Sequence, residues 1–336
     1  MQKDDALAVG VDFGTDSARA LLVRTCDGEV LASCAHPYAR WGKGLYSEAA
    51  RMRFRQHPHD YAEALRAVLH GVLDGRNDKD RVACIGVDAT ASTPCLTDAE
   101  GLPLALRPEF AAEPDAMFVL WKDHTAESEA RQITEAARPH GYCLNNGGVY
   151  SPENGWAKVW HILSTNPAVA DAAASVVEEG DYIVSLLTGQ AASPSYCAAA
   201  YKWMWRASWG GYPPEAFFRE LGGERLAAIR ASLSKGPVAA SASVGTLSRA
   251  WAEELGLSDG VTVGAAVTGD TRTSVQVDRV DTLDPNLGYK VTVKNYSGTS
   301  LPHTGGPGTW IFTALGAVLM LGAGTALVLR RRRTAE

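Results

Sequence analysis

The chain has 336 residues, of which 46% are hydrophobic and 21% are charged, and its formal net charge at pH 7 is −6. This composition is typical of a folded globular protein and argues against a disordered chain. The acidic balance provides no basic face, so we expect no nucleic-acid partner. The six cysteines are scattered without a Cys-x-x-Cys pair, which predicts reduced, mostly buried thiols rather than a metal site.

The first motif is a strand, a tight polar turn and a second strand. An apolar run over residues 7–11 ends at Asp12, and another begins after Arg19. Gly14 has no Cβ, so the backbone can approach a ligand closely there, and the N–H groups of such a turn can form an anion-binding nest. A carboxylate at a strand end suits hydrated Mg²⁺. The pattern predicts a phosphate site, with a plain hairpin as the alternative, and its candidate residues are Asp12, Gly14, Thr15, Ser17 and Arg19.

The elements that follow are predicted from apolar spacing. Residues 30–35 should form a strand antiparallel to residues 20–25, because an Asp-Gly turn separates them. Pro58 should open a helix with Asp60 in its first turn, and its buried face is predicted to be Tyr61, Leu65, Val68, Leu69 and Val72. Residues 82–87 read as a strand covered on both sides. Further helices are predicted over residues 121–137, 156–163, 181–187 and 213–221.

Several motifs carry a resemblance to a known family. Asp-Phe-Gly-Thr-Asp-Ser-x-Arg at residues 12–19 resembles the first phosphate loop of the sugar kinases that share the actin/Hsp70/hexokinase fold, and the longer match is with bacterial ribulokinases of the FGGY carbohydrate kinase family. The match runs in family order from about Leu7 to about Val263. It includes Tyr38-x-Arg40-Trp41-x-Lys43-Gly44, Phe54-Arg55-Gln56-His57-Pro58, Gly86-Val87-Asp88-x-Thr90-x-Ser92-Thr93-Pro94, Ala105-Leu106-Arg107-Pro108-Glu109-Phe110, Met117-Phe118-Val119-Leu120-Trp121-Lys122-Asp123-His124 and Ser208-Trp209-Gly210-Gly211.

The resemblance implies an α/β fold, the ribonuclease-H-like first lobe of the actin/Hsp70/sugar-kinase superfamily, over residues 1–265. It implies ATP-dependent phosphorylation of L-ribulose in L-arabinose catabolism, with Asp12 holding Mg²⁺ and the kinase part in the cytoplasm. The implied sugar-binding residues are Ala91, Ser92, Trp121, Lys122, Asp123 and Lys202. From the residues alone, a solvated surface lysine is the more common reading of Lys202, and the alternative for the others is strand-end and helix-start chemistry.

The match ends after Val263. Ribulokinases continue into a turn whose Asp-x-His aspartate takes the proton from the attacking sugar hydroxyl, and here Asp270 stands near the expected position without a histidine at the right spacing. Asp270 is therefore the candidate base. The family's second, ATP-holding lobe has no counterpart in this sequence, so we expect the 336-residue chain to be inactive.

The end of the chain has a different character. Leu301-Pro302-His303-Thr304-Gly305 is followed by an uncharged stretch over residues 310–329 and then by four arginines. About 20 apolar residues can cross a bilayer as a helix, and the arginines would stay cytoplasmic. The three parts resemble the LPxTG sorting signal of Gram-positive surface proteins, with sortase cutting between Thr304 and Gly305. A buried core helix is the alternative, but it does not explain the arginines.

Two functions follow from the two parts. One is a ribulokinase-type enzyme; the other is a cell-wall-anchored surface protein of the adhesin type, with residues 266–300 as a linker or remnant β segment and residues 301–333 as the sorting signal. The N-terminal residues do not resemble a signal peptide. We therefore expect a fused or chimeric chain that associates with the membrane through residues 310–329 and reaches sortase and the cell wall only if exported.

Overall fold

A computed structural model describes residues 6–143, 147–268, 273–278 and 290–295. Nearly all of these residues belong to the first of two units into which the chain divides, Met1–Lys294. The strands of the described residues are β1 Leu7–Phe13, β2 Ser17–Arg24, β3 Val30–Pro37, β4 Ser47–Glu48, β5 Arg53–Gln56, β6 Val82–Ala89, β7 Pro94–Thr97, β8 Phe118–Val119, β9 Ser175–Glu178, β10 Ser243–Thr246, β11 Thr262–Gly264, β12 Thr273–Asp278 and β13 Lys290–Asn295. The helices are α1 Pro58–Leu73, α2 Glu127–Ala137, α3 Gly155–Thr165, α4 Pro167–Ala172, α5 Glu179–Thr188, α6 Tyr196–Lys202, α7 Glu215–Ser232 and α8 Arg249–Leu255.

A six-stranded mixed sheet is the framework of this unit, with the strand order β10-β11-β6-β1-β2-β3. Strands β1, β2 and β3 form an antiparallel meander, and Leu22 pairs with Ala32 as the turn between β2 and β3 predicts. Strand β6 is parallel to β1, and β11 is parallel to β6. The carboxyl ends of β1, β6 and β11 therefore meet at one edge of the sheet.

Helix α1 covers one face of this sheet as its sequence predicts. His57 caps the helix by accepting the backbone N–H of His59 at 3.1 Å, and Pro58 occupies the first turn, where a missing N–H costs nothing. The residues predicted to face the core are all buried: Tyr61, Leu65, Val68, Leu69 and Val72. They pack with the sheet, α5 and α8 into a first hydrophobic core.

A second hydrophobic core lies among α2, α3, α4 and α7. Trp156 is fully buried there and packs against Trp203 and Phe218, with ring centroids 4.9 and 4.2 Å away. The antiparallel pair β7 and β9 borders this core, since Leu96 and Val176 belong to it.

The structure corrects two predicted helices. The helix predicted over residues 121–137 begins only at Glu127, because the Asp123 carboxylate accepts the backbone N–H and hydroxyl of Thr125 and holds a turn before it. The helix predicted over residues 213–221 continues to Ser232, with a break at Gly223, where φ is 76°.

Several predictions fall on residues outside the described ranges: the base Asp270, the sortase residues Thr304 and Gly305, and the membrane helix over residues 310–329. Within the described ranges, no helix combines the length and apolar character that crossing a bilayer requires. In the predicted linker, β12 and β13 form a two-stranded sheet.

Candidate functional site

The predicted phosphate corner lies between β1 and β2. The backbone N–H of Gly14 donates to the carbonyl of Ser17 at 3.1 Å and closes the turn. Asp12 and Arg19 face each other across the two strands, and their charged groups are 3.7 Å apart. The Asp12 side chain is 49% exposed, so its carboxylate remains open to a ligand. The corner therefore presents a turn, an exposed carboxylate and a guanidinium together.

A second carboxylate, Asp88, lies beside Asp12. The two are in register on the neighbouring parallel strands β1 and β6, so their side chains emerge on the same face. Burial, together with the nearby charge of Asp12, raises the pKa of Asp88 to about 7. Among the described residues, Asp88 Oδ1 is buried without a hydrogen-bond partner. The sequence analysis missed Asp88, although it ends an apolar run as Asp12 does.

The carboxylate pair fits a magnesium ion that is shared with phosphate. Mg²⁺ is typically bound through one or two carboxylates, waters and substrate phosphates, and the unpartnered oxygen of Asp88 is a ligand atom of the right kind. Across the described residues, no group of three or more His, Cys, Asp or Glu side chains could hold a metal. Waters and a phosphate group would supply the remaining ligands of such an ion.

The N-terminal end of α5 packs close to the end of β6, the strand that carries Asp88. A Cβ on Gly180 would lie 2.8 Å from the Cβ of Ala266 and 3.4 Å from that of Ala89, so the glycine allows the helix to approach the end of β6 closely. The preceding Glu179 is fully buried and accepts the hydroxyl of Thr90 at 2.6 Å. Burial raises the pKa of Glu179 well above its usual range.

Trp121 joins the predicted sugar corner to the phosphate corner. Its indole Nε1 donates to the hydroxyl of Thr15 at 3.1 Å, across 106 residues of sequence. The carbonyl of Thr15 also accepts the side-chain amide of Gln56 at 2.7 Å. Trp121 is 37% exposed, which leaves part of its ring free to contact a ligand.

The other two residues of this corner differ in exposure. The Lys122 ammonium lies over the rings of Trp41 and Phe54, 5.0 and 4.7 Å from their centroids. These cation–π contacts hold the ammonium in place, and the side chain remains partly exposed to a ligand. Asp123 has no exposed surface, accepts the backbone N–H of Phe54 at 2.7 Å and is paired with Arg55. Its carboxylate supports the corner from within.

The loop after β6 carries Ala91 and Ser92. Ala91 is partly exposed, whereas Ser92 is fully buried, and its carbonyl accepts the ammonium of Lys158 at 2.6 Å. The sequence analysis did not single out Lys158. The available signal was a lone charged residue between Trp156 and Trp160 in an otherwise apolar helix.

Lys202 is the last residue of α6 and is partly exposed. Its ammonium has no hydrogen-bond or ion-pair partner among the described residues, whereas its carbonyl accepts the hydroxyl of Tyr150 at 2.7 Å. The neighbouring Trp203 donates its indole N–H to Glu178 at 2.5 Å, and the same carboxylate accepts the backbone N–H of Thr93 at 2.9 Å. The Lys202 segment is thereby connected to the loop after β6.

Solved structures with a similar fold are sugar kinases. The xylulose kinase from Rhodospirillum rubrum matches with a TM-score of 0.63 and 22% identity, covering 78% of this chain and 49% of that one. The glycerol kinase of Plasmodium falciparum, solved with ADP, matches with a TM-score of 0.59 and 12% identity, covering 79% and 48%. These matches confirm the predicted α/β, actin-like first lobe.

Sequence relatives are more specific. The ribulokinase of Vibrio parahaemolyticus is 41% identical over 264 residues, which are 76% of this chain and 46% of the relative. That of Shouchella clausii is 33% identical over 308 residues, 88% and 52%. Most of this chain is homologous to ribulokinase. It spans about half the length of the ribulokinases that it matches.

The C-terminal part matches a different family. The model of the LPXTG cell wall anchor motif covers residues 293–336. The predicted resemblance, a ribulokinase N-terminal half joined to a sorting signal, is thus confirmed for both parts.

Proposed function

We propose that the described unit binds L-ribulose and the phosphate side of Mg²⁺·ATP, as the sugar-binding lobe of a cytoplasmic ribulokinase. The observation that carries the proposal is the hydrogen bond from Trp121 to Thr15, which brings the sugar corner against the phosphate corner. Homology to ribulokinases supports the choice of a pentulose as the sugar.

On this proposal each group has a distinct task. Asp12 and Asp88 would hold the magnesium ion, which would supply positive charge beside the transferred phosphoryl group. The turn formed by Gly14, Thr15 and Ser17 orients the phosphate, with Arg19 beside it. The sugar lies against Trp121 and Lys122 and near the loop of Ala91 and Ser92, with Asp123 behind them, and the unpartnered ammonium of Lys202 donates to its hydroxyls.

We further propose that this polypeptide, assayed alone, phosphorylates L-ribulose slowly or not at all. In-line transfer requires the γ-phosphate, its metal ion and the sugar hydroxyl to be held together, and the ribulokinases that it resembles extend over about twice the matched length. We propose Asp270 as the base. If Asp270 does not act in this way, the loss of general-base catalysis alone would lower the rate about 10²–10⁴-fold.

Isothermal titration with L-ribulose, beside a coupled assay of ADP release, tests both statements. We expect the chain to bind the sugar and Lys202→Ala to weaken that affinity about tenfold, because one charge-assisted hydrogen bond is lost. Lys235→Ala, at an exposed position, is the matched control. No binding by the unmodified chain would reject the kinase-lobe proposal. Turnover at an ordinary enzyme rate that Asp270→Asn abolishes would reject the proposal of weak activity.

A second candidate function is a wall-anchored surface protein, which the match of residues 293–336 to the cell wall anchor motif favours. When the chain is exported behind an added signal peptide, we expect sortase to cut between Thr304 and Gly305, and mass spectrometry of the released product to end at Thr304. Thr304→Ala should stay uncut. An uncut parent chain in the presence of active sortase would reject this function.

A further inference from the structure

Two charged side chains are buried between the segments of the proposed sugar site. Lys158 on α3 is 1% exposed, and Glu178 at the end of β9 is 7% exposed. Neither forms an ion pair within 4.0 Å with a side chain of the described residues. Burying a charge in this way is unfavourable unless its hydrogen-bonding groups are satisfied. Their partners therefore indicate what the two charges do.

The Lys158 ammonium donates hydrogen bonds to backbone carbonyls of two separate segments. It donates to Ser92 at 2.6 Å in the loop after β6, and to Leu120 at 2.9 Å in the corner before α2. Longer contacts of 3.4 Å reach the carbonyls of Val119 and Trp121. One side chain thus fixes the distance between the loop of Ser92 and the corner of Trp121.

Glu178 makes the corresponding connection to a third segment. One of its oxygens accepts the backbone N–H of Thr93 at 2.9 Å, and the other accepts the indole N–H of Trp203 at 2.5 Å. Thr93 adjoins Ser92, and Trp203 adjoins Lys202. The carboxylate therefore holds the end of α6, with its unpartnered lysine, against the same loop that Lys158 holds.

The electrostatics of the two groups argue against a purely stabilising role. Burial lowers the pKa of Lys158, opposed by the charges of Asp123 and Glu178, and burial raises the pKa of Glu178. For both groups, the effect of lost hydration on the pKa is larger than the opposing effect of the neighbouring charges. Well-packed apolar residues in place of buried charges are often neutral or stabilising, so the contribution of this pair lies in geometry.

We propose that Lys158 and Glu178 are positioning residues, which lock the three segments of the sugar site, residues 91–93, 119–121 and 202–203, into one arrangement. The identity of the ligand, L-ribulose, rests on the proposed function. The arrangement of the segments does not, and it can be measured without any ligand.

Hydrogen–deuterium exchange on the full chain tests the arrangement directly. Lys158→Met keeps the length of the side chain and removes its donors; we expect amide exchange to rise about tenfold in peptides covering residues 90–93 and 119–122, since one or two hydrogen bonds are lost. Glu178→Gln should raise exchange at residues 93 and 203 and leave residues 119–122 unchanged. Lys235→Met, at an exposed position, is the control and should change neither. If Lys158→Met does not fold, Lys158→Gln, which keeps an amide donor, takes its place.

L-ribulose titration of the same variants completes the test. We expect Lys158→Met to weaken L-ribulose binding about tenfold, whatever the change in melting temperature. A general loss of stability would be recognised separately, because it would raise amide exchange throughout the sheet. Unchanged exchange in the three segments, or loosened segments with unchanged ribulose affinity, would overturn the inference. If the unmodified chain binds no L-ribulose but the variants still show raised exchange in these segments, the positioning role is supported and the proposed function is rejected.

Discussion

At the scale of single residues, buried acids make the stability of this lobe depend on pH. Asp181 on α5 is 5% exposed, and both of its carboxylate oxygens face the backbone N–H of Ser195, at 3.0 and 3.2 Å. Burial raises its pKa to about 8, with a further contribution from the charge of Glu178. The folded chain therefore retains a proton on Asp181 at a pH where the unfolded chain has lost it.

This proton gives a prediction for Asp181→Asn. Because the pKa is raised on folding, the unfolded state binds fewer protons between about pH 4 and about pH 8, and the free energy of unfolding falls as pH rises through that window, by up to about 1.4 kcal/mol per pH unit. Asn keeps the acceptor for Ser195 and removes the titration, so the profile from urea unfolding should be shallower. Asp259→Asn, at an exposed position, should follow the unmodified chain. Parallel profiles for Asp181→Asn and the unmodified chain would contradict this account.

At the scale of elements, the start of α1 is tied to the loop that precedes it. Asp60 is buried and accepts the backbone N–H groups of Arg40 and Trp41 at 3.0 and 3.1 Å, and also the Arg40 guanidinium at 3.0 Å. The indole of Trp41 in turn donates to Asp16 in the phosphate corner at 2.7 Å. Helix α1 thus supports the site through one carboxylate.

Asp60→Ala should lower the free energy of unfolding by about 2–4 kcal/mol, because it leaves two backbone N–H groups without their acceptor and removes one of the two carboxylates that bind the Arg40 guanidinium. Glu63→Ala is a matched control: it removes the other carboxylate that binds Arg40, but the Glu63 side chain is 50% exposed, so we expect a loss of about 0–1 kcal/mol. Urea unfolding of both variants gives the comparison. Equal losses would show that burial of Asp60 is not what matters.

At the scale of the whole molecule, a part homologous to ribulokinase and a wall-anchor motif occupy one chain. Residues 310–329 remain a predicted membrane helix. Deleting residues 310–336 should move the chain from the membrane pellet to the supernatant without detergent. Leu319→Arg with Leu321→Arg keeps the length and should have the same effect, since each arginine at a bilayer centre costs about 2.5–3.5 kcal/mol. A full-length chain that is equally soluble without detergent would contradict the membrane helix.

Local patterns in the sequence determined much of the fold. The meander of β1, β2 and β3, the buried face of α1 and the tight turn between β1 and β2 each depend on spacing within about 20 residues, where periodicity and turn residues are informative. The quoted motifs also sufficed for the resemblance to ribulokinase, and the pentapeptide with its basic end for the anchor motif. These parts could be predicted because neighbouring residues alone specify them.

The tertiary structure decided which distant residues meet. Asp88 becomes the partner of Asp12 only through the register of β6 on β1, and Lys158 reaches Ser92 and Leu120 across 66 and 38 residues. Helix α2 starts late because Asp123 is held by Phe54 and Arg55, far away in the sequence. Strand register and the burial of charge depend on packing of the whole lobe, because a buried charge is tolerated only where distant backbone groups converge on it.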